Sequence, residues 1–542
     1  MKKSWQTIVP AGVLSLLTVF SCCGKPAPAS SPEMPGGKDT SALLELRIDL
    51  ADTHQTIHSF GASDCWTGKF IGSWADVSKK NRVADLLFST DTLADGTPRG
   101  IGLSLWRFNI GAGSFEQGAG SGIATDWRRE ECFLNADGSY NWNKQAGQQW
   151  FLQAARSRGV KYTLGFAISP PVYMTRNGKA FHPGGDNHLN IREGRMKDYA
   201  GFLAAVAEHL RLDYLSPVNE PQWDWSAKGK PTASQAGSQA TNGDIAALVK
   251  QLSAALKTRH ATAKVVIGEA GQLDFLYGRN NDDRGDQVSR FFSAASPDYI
   301  GNLPDVAPVI SGHSYFTTCP DDKMVHVRQQ LAEKVRQVNP ALSVWQSEFG
   351  ILGDICGQYS GSPRNTGIGY GLYVAKVIHH DLTVANVSSW QWWLAVSPYD
   401  YSDALVYINA PDSSINVDQC KRDGVVLESK QLWALGNYAR FVRPGMQRVT
   451  ASIDGLHDPV KAAGALMVSA YHDPQEKSLV VVLVNVSNET KTLRLHTSAT
   501  LRKNLLNTYT TDADSNLKRS YSAPDSIVVK PQSVVTLTGR YQ

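Results

Sequence analysis

Residues 215–223 read L-S-P-V-N-E-P-Q-W, from Leu215 to Trp223, and the way this stretch stops decides the fold. The apolar run 214–218 spells a short buried strand. Pro221 ends it, because proline brings no N–H to a ladder and turns the residue before it away from helix. Glu220 therefore stands at the C-terminal tip of the strand, where a loop begins. Residues 343–350, S-V-W-Q-S-E-F-G, repeat the pattern with Glu348 closing the strand. In a parallel α/β barrel such tips form the mouth, where reactive side chains collect.

The rest of the chain supplies the other staves. Apolar strand-like runs end near Asp64, Asn109, Ile168, Glu220, Glu269, Tyr315, Glu348 and Trp393. Helical spacing falls between them at 144–158, 194–210, 243–258, 325–338 and 370–384. In 194–210, Met196, Tyr199, Phe202, Leu203, Val206 and Leu210 share one stripe. This alternation predicts an α/β fold, a (β/α)8 TIM barrel in which the two glutamates end strands four and seven. The alternative is an open doubly wound sheet, but the first turn lacks a dinucleotide fingerprint. The glycine-rich segment 111–122 lacks the Lys-Ser/Thr of a phosphate loop and reads as a wall of a cleft.

Both ends of the chain read differently from the middle. Segment 43–50 alternates apolar and polar, and a second strand reads from 55 to 64. Past Arg443-Pro444-Gly445 the sequence becomes β-rich, at 448–453, 465–471, 478–485, 491–495 and 526–537. These runs predict a β-sandwich side domain. The expected division is a signal peptide 1–21, a tether 22–42, strands 43–57 joining the sandwich, a catalytic barrel 58–445 and the sandwich itself 446–542.

Lys2 and Lys3 precede an apolar run at 8–20, followed by Ser21-Cys22-Cys23-Gly24. A basic start with so short an apolar core is an export signal rather than a membrane span. Val19-Phe20-Ser21-Cys22 resembles a bacterial lipobox, which implies cleavage before Cys22 and lipidation of its sulfur. Phe20 is bulkier than the usual residue there, so Cys23 and plain secretion stay open. The expected location is the bacterial cell envelope, with no membrane contact beyond the anchor. Five of the seven cysteines lie past this site, and Cys319 and Cys356 follow two successive strands, so they are the expected disulfide. No Cys/His spacing resembles a zinc site, and no metal or cofactor is expected. A net charge of +4 on 542 residues gives no electrostatic case for nucleic acid.

Two strand-tip carboxylates far apart in sequence are what a two-carboxylate glycosidase needs: one protonated, one ionised. Each glutamate alone reads as well as a surface or capping residue. Arg107 and Asn109 alternate with apolar neighbours and share one face of their strand. Arg107 also reads as a buried ion-pair partner, His313 as a satisfied core histidine, and Glu269 as a supporting group.

The ordered set F-G-A-S at Phe60, W-R-F-N-I-G at Trp106, the two glutamate motifs and L-W-A-L-G-N-Y-A-R-F-V-R-P-G at Leu432 resembles glycoside hydrolase family 30 of clan A. That resemblance spans nearly the whole mature chain and is nearest to the branch acting on β-1,6-galactan. It implies a retaining enzyme, with Glu220 as acid/base and Glu348 as nucleophile supported by Arg107. It also implies that Asn219 binds the sugar 2-hydroxyl, that His313 or Tyr315 touches the nucleophile, and that Trp390 and Trp393 floor a subsite. Asn109 and Trp223 complete the expected substrate contacts, with loops near Trp66, Trp127, Tyr173, Trp225 and Tyr399. The implied activity is endo-β-1,6-galactanase, with β-1,6-glucanase, xylanase or an inactive glycan-binding protein as alternatives. The expected partner is a polysaccharide or oligosaccharide, met by a monomer.

Overall fold

The computed structural model describes residues 43–279 and 282–542. The expected signal peptide and lipid anchor lie outside the described residues. The chain enters as β1 (Leu44–Thr56), then forms β2 (Ser59–Ser63), β3 (Leu105–Ile110), β4 (Tyr162–Ala167) and β5 (Tyr214–Ser216). There follow β6 (Lys264–Ala270), β7 (Val306–His313), β8 (Ser343–Phe349) and β9 (Val387–Ser397). Strands β2 to β9 pair in parallel in sequence order, and β9 returns to pair with both β8 and β2. The result is a closed eight-stranded barrel, the (β/α)8 architecture the alternation predicts. A hairpin of β10 (Ala404–Asn409) and β11 (Val425–Glu428) extends from β9.

Alternation along each stave sorts its side chains. On β3, Trp106 and Phe108 turn outward into the core shared with the helices, while Leu105 faces the barrel axis. Trp106 meets Phe88 edge-on, with ring centroids 4.9 Å apart. The helix Met196–Leu210 buries Tyr199, Phe202, Leu203, Val206 and Leu210, the stripe its spacing marks. Each such side chain contributes about 1.5–3 kcal/mol of burial. Helix Asp321–Val338 begins before the apolar spacing starts. Its first turn carries Asp321 and Asp322, which suit a helix N-terminus but leave no hydrophobic mark.

The side domain is one nine-stranded sheet built from β1 and the strands after Gln447. Strand β1 pairs antiparallel with 447–453 and parallel with 493–497. Strand Ser478–Asn485 is buried on both faces. Leu479, Val481 and Leu483 pack inside the side domain, while Val480, Val482 and Val484 join the barrel core. Leu506 and Ile527, from opposite ends of the sheet, share the inner cluster, so the sheet closes on itself like a sandwich.

The expected strand 55–64 is divided in the structure. Thr56 ends β1 in the side domain and Ser59 begins β2 in the barrel. Between them, Ile57 N–H donates to Met446 O (2.8 Å) and His58 N–H to Ser388 O (2.7 Å). The apolar pattern runs on while the chain changes sheets, so periodicity cannot see the break.

Candidate active site

Regular alternation would aim Glu348 and Glu269 the wrong way. On β8, Val344 and Phe349 both lie in the helix-side core although five positions separate them, an odd step. The register against β9 slips between Gln346 and Phe349, and this bulge turns Glu348 toward the axis. A matching slip against β7 lies between Ile267 and Ala270, and Glu269 inside it has φ +45°. Gly268 precedes it at φ +108°, where a Cβ would sit 2.3 Å from Ser311 O, so only glycine fits. Glu220 is likewise left-handed at φ +46°. Each such residue costs about 1–2 kcal/mol, and the surroundings hold it. Glu220 N–H donates to Glu269 O (2.9 Å), and Trp225 Nε1–H donates to Glu220 O (2.9 Å).

The side chains so aimed form one buried network. Arg107, with no exposed surface, donates to Glu348 Oε2 (2.5 Å), Asn219 Oδ1 (2.8 Å) and Glu269 Oε2 (2.8 Å). Its guanidinium lies over Phe166, 3.6 Å from the ring centroid. Tyr315 O–H donates to Glu348 Oε1 (3.1 Å). The His313 imidazole lies 3.0 Å from both Glu220 Oε1 and Glu269 Oε2, and 3.7 Å from Glu348 Oε1. Ser347 and Ser311 hydroxyls donate to Glu269 at 3.1 and 3.4 Å. A ligand atom from each of Glu220, His313 and Glu348 falls within 4.8 Å of the others. By distance this trio would suit a cation, but both imidazole nitrogens already face carboxylates.

The electrostatics follow from burial set against charge. Burial works against a charged His313, yet the Glu348 charge and the bonds to Glu220 and Glu269 push its pKa up to about 10. Burial likewise opposes the charge on Arg107, and Glu269 and Glu348 outweigh it and raise its pKa. Burial raises Glu269, but Arg107 and His313 overcome it and hold that carboxyl below its usual range. For Glu348 burial prevails and the carboxyl is raised, with His313 and Arg107 opposing. Burial raises Tyr315, which remains a neutral donor. Glu269, expected only to support, is the acceptor at which Arg107, His313 and Ser347 meet.

Above the network opens a cleft of about 940 Å³, lined by Asn219, Glu220, Trp223, Tyr315, Glu348 and Trp393 among others. Trp223 lies against Gly271, where a Cβ would come within 2.1 Å of its indole nitrogen. Of the expected pair, Tyr315 is the residue bonded to Glu348, and His313 bridges the other two glutamates. Arg107 and His313 sit beneath the cleft wall and are reached through the carboxylates.

Trp390 is a correction: it is fully buried on the helix side, its Nε1–H donating to Asp381 Oδ2 (2.8 Å). Residues three apart on a strand point to opposite faces, so only Trp393 reaches the cleft. Asn109 is also displaced from the expected role. It is buried and off the cleft wall, and its backbone is fixed by Asp64 (2.8 Å) and Gln145 (2.8 Å). Trp66, Trp127, Trp225 and Tyr399 line the cleft, whereas Tyr173 does not. Segment 111–122 is no cleft wall either. Gly111 packs on Glu131, where a Cβ would lie 1.9 Å from its carbonyl oxygen. Cys319 and Cys356 form the expected disulfide, and both line the cleft. Phe316, beside Tyr315, carries no mark in the sequence, because nothing in its spacing separates it from core aromatics.

The model of a family described as O-glycosyl hydrolase family 30 matches residues 43–407. The endo-beta-1,6-galactanase of Hypocrea rufa is 25% identical over 254 residues, 42% of this chain and 50% of that protein. The chain thus spans about half the length of this curated relative. A conserved exported protein from Bacteroides fragilis is 33% identical, with a TM-score of 0.85 over 91% of this chain and 100% of that one. The catalytic domain of GH30 xylanase C from Talaromyces cellulolyticus has the same fold, with 21% identity and a TM-score of 0.63 over 91% and 99% of the two chains.

Proposed function

Because the chain belongs to O-glycosyl hydrolase family 30, we propose that it is a retaining glycosidase, an endo-β-1,6-galactanase. The observation that carries this reading is the approach of Glu220 and Glu348, whose carboxylate oxygens come within 4.8 Å across one cleft. Retaining enzymes hold these groups about 5–5.5 Å apart, and inverting enzymes about 6.5–9.5 Å. Glu348, oriented by Arg107 and Tyr315, attacks the anomeric carbon. The bond to the leaving oxygen breaks as Glu220 delivers its proton to that oxygen. Glu220 then takes a proton from water, whose oxygen displaces Glu348 and releases the sugar. His313, bonded to Glu220 and Glu269, holds Glu220 in place through both steps. Asn219, itself held by Arg107, donates to the sugar 2-hydroxyl.

The choice of galactan rests on the Hypocrea rufa relative and on the ordered motifs. β-1,6-Glucan and xylan are the alternatives within the family. The exported Bacteroides fragilis protein, together with the N-terminal reading, supports export to the cell envelope with a lipid anchor. No helix among the described residues is long and apolar enough to cross a membrane. Digestion of β-1,6-galactan, β-1,6-glucan and xylan, followed by reducing ends and product size, tests the proposal. Oligomers released from galactan are expected. Release from glucan or xylan instead moves the substrate, and release from none of them favours a glycan-binding protein.

A further inference from the structure

Phe316 is the most exposed large apolar side chain among the described residues, at 69%. It is also left-handed, with φ +59°, a conformation that a bulky residue adopts only at a cost of about 1–2 kcal/mol. A ring that buries little and sits on strained backbone is not there to stabilise the fold. Its backbone is nevertheless held firmly. Lys323 Nζ donates to Phe316 O (2.8 Å), and buried Arg328 donates to Thr317 O (2.8 Å). Tyr373 O–H donates to Thr318 Oγ1 (2.6 Å), and the Cys319–Cys356 bridge fixes the loop beyond. The loop is rigid and the ring is bare, and the ring lines the cleft.

The cleft has two aromatic corners. Trp66 and Trp393 meet edge-on at 5.2 Å on the β2–β9 side. Trp223 and Phe316 meet edge-on at 5.8 Å on the other side, and Trp223 follows Glu220 by three residues. Glu220 is the group that protonates the departing oxygen, so the corner next to it receives the departing sugar. We propose that Phe316 is the stacking platform for the leaving-group sugar ring and sets the preference for a sugar there. A pyranose turns a face of C–H bonds toward such a ring, and the fixed loop means that little freedom is lost on contact. The inference rests on the two-glutamate reading of the cleft.

The test compares two substrates and one stability measurement. Phe316→Ala and Phe316→Gly are assayed on the β-1,6-linked oligosaccharide that the unmodified enzyme cleaves, and on the β-glycosyl fluoride of the same sugar. Fluoride leaves without a ring to stack. The loss in kcat/KM should be about three- to tenfold greater on the oligosaccharide than on the fluoride, the range expected for one aromatic contact. Phe316→Trp should restore the oligosaccharide rate. Phe316→Gly should leave Tm unchanged or higher, since glycine relieves the left-handed strain. Equal losses on both substrates, or a Tm lowered by several degrees, would overturn the proposal. If the unmodified protein cleaves neither substrate, the hydrolase reading fails, while the Tm comparison still reports on Phe316.

Discussion

The barrel holds two histidines that ionise in opposite directions. His58 sits at the floor, stacked on Tyr162 (4.1 Å) and against Trp345 (4.5 Å), near the apolar layer of Leu105, Leu164, Val266 and Val309. Burial, helped by Lys161, brings its pKa down to about 4. His313 sits at the mouth, more deeply enclosed, and its pKa is pushed up to about 10. Burial lowers both, but only His313 has Glu220, Glu269 and Glu348 around it. The staves pass from one regime to the other within a few residues: Leu105 to Arg107 on β3, Val309 to His313 on β7, Trp345 to Glu348 on β8. The floor is built for cohesion. The mouth stores charge and backbone strain, which cost stability, the pattern expected of a functional site.

The contrast breaks most visibly if a mouth residue turns out to be structural. Glu348→Gln should lower kcat/KM on the order of 10⁶-fold, the scale for loss of a nucleophile. Calorimetry should show its Tm within a few degrees of the parent. At the floor the pattern inverts. Leu164→Ala should cost about 2–5 kcal/mol of stability by denaturant titration, with turnover of the folded fraction within a fewfold of normal.

The histidines give a subtler contrast in pH. A raised folded pKa means that the His313 contribution is complete below its ordinary value of 6.5 and is lost as pH climbs to about 10. A lowered folded pKa means that the His58 contribution is complete above 6.5 and is lost as pH falls to about 4. The Tm gap between the parent and His313→Gln should therefore shrink on the alkaline side. The gap to His58→Gln should shrink on the acid side. Parallel slopes would show that the two sites do not differ as described. Smallest of all, Trp390→Phe should lose about 1.5–3 kcal/mol for its bond to a buried carboxylate, with KM unchanged, because its ring is turned away from the cleft.

Much of this was legible in the sequence because parallel strands buried on both sides read as plain apolar runs. The eight strand ends, the two glutamates and the Cys319–Cys356 bridge come straight from that pattern. What stayed hidden depends on departures from regular geometry. The bulge that turns Glu348 inward leaves no mark in the composition, and the left-handed backbone at Glu220, Glu269 and Phe316 sits on residues that do not advertise it. Trp390 is a different case: its three-residue offset from Trp393 places it on the opposite face, a parity the family likeness does not carry. The split at His58 was invisible because both sheets accept the same alternation.

Double displacement requires Glu220 and Glu348 to act on one glycosidic bond from the same cleft. Proton NMR of the first minutes of digestion reads it directly. The new reducing end should appear first as the β anomer and only later equilibrate. An α anomer appearing first would mean single displacement and would contradict a nucleophilic Glu348.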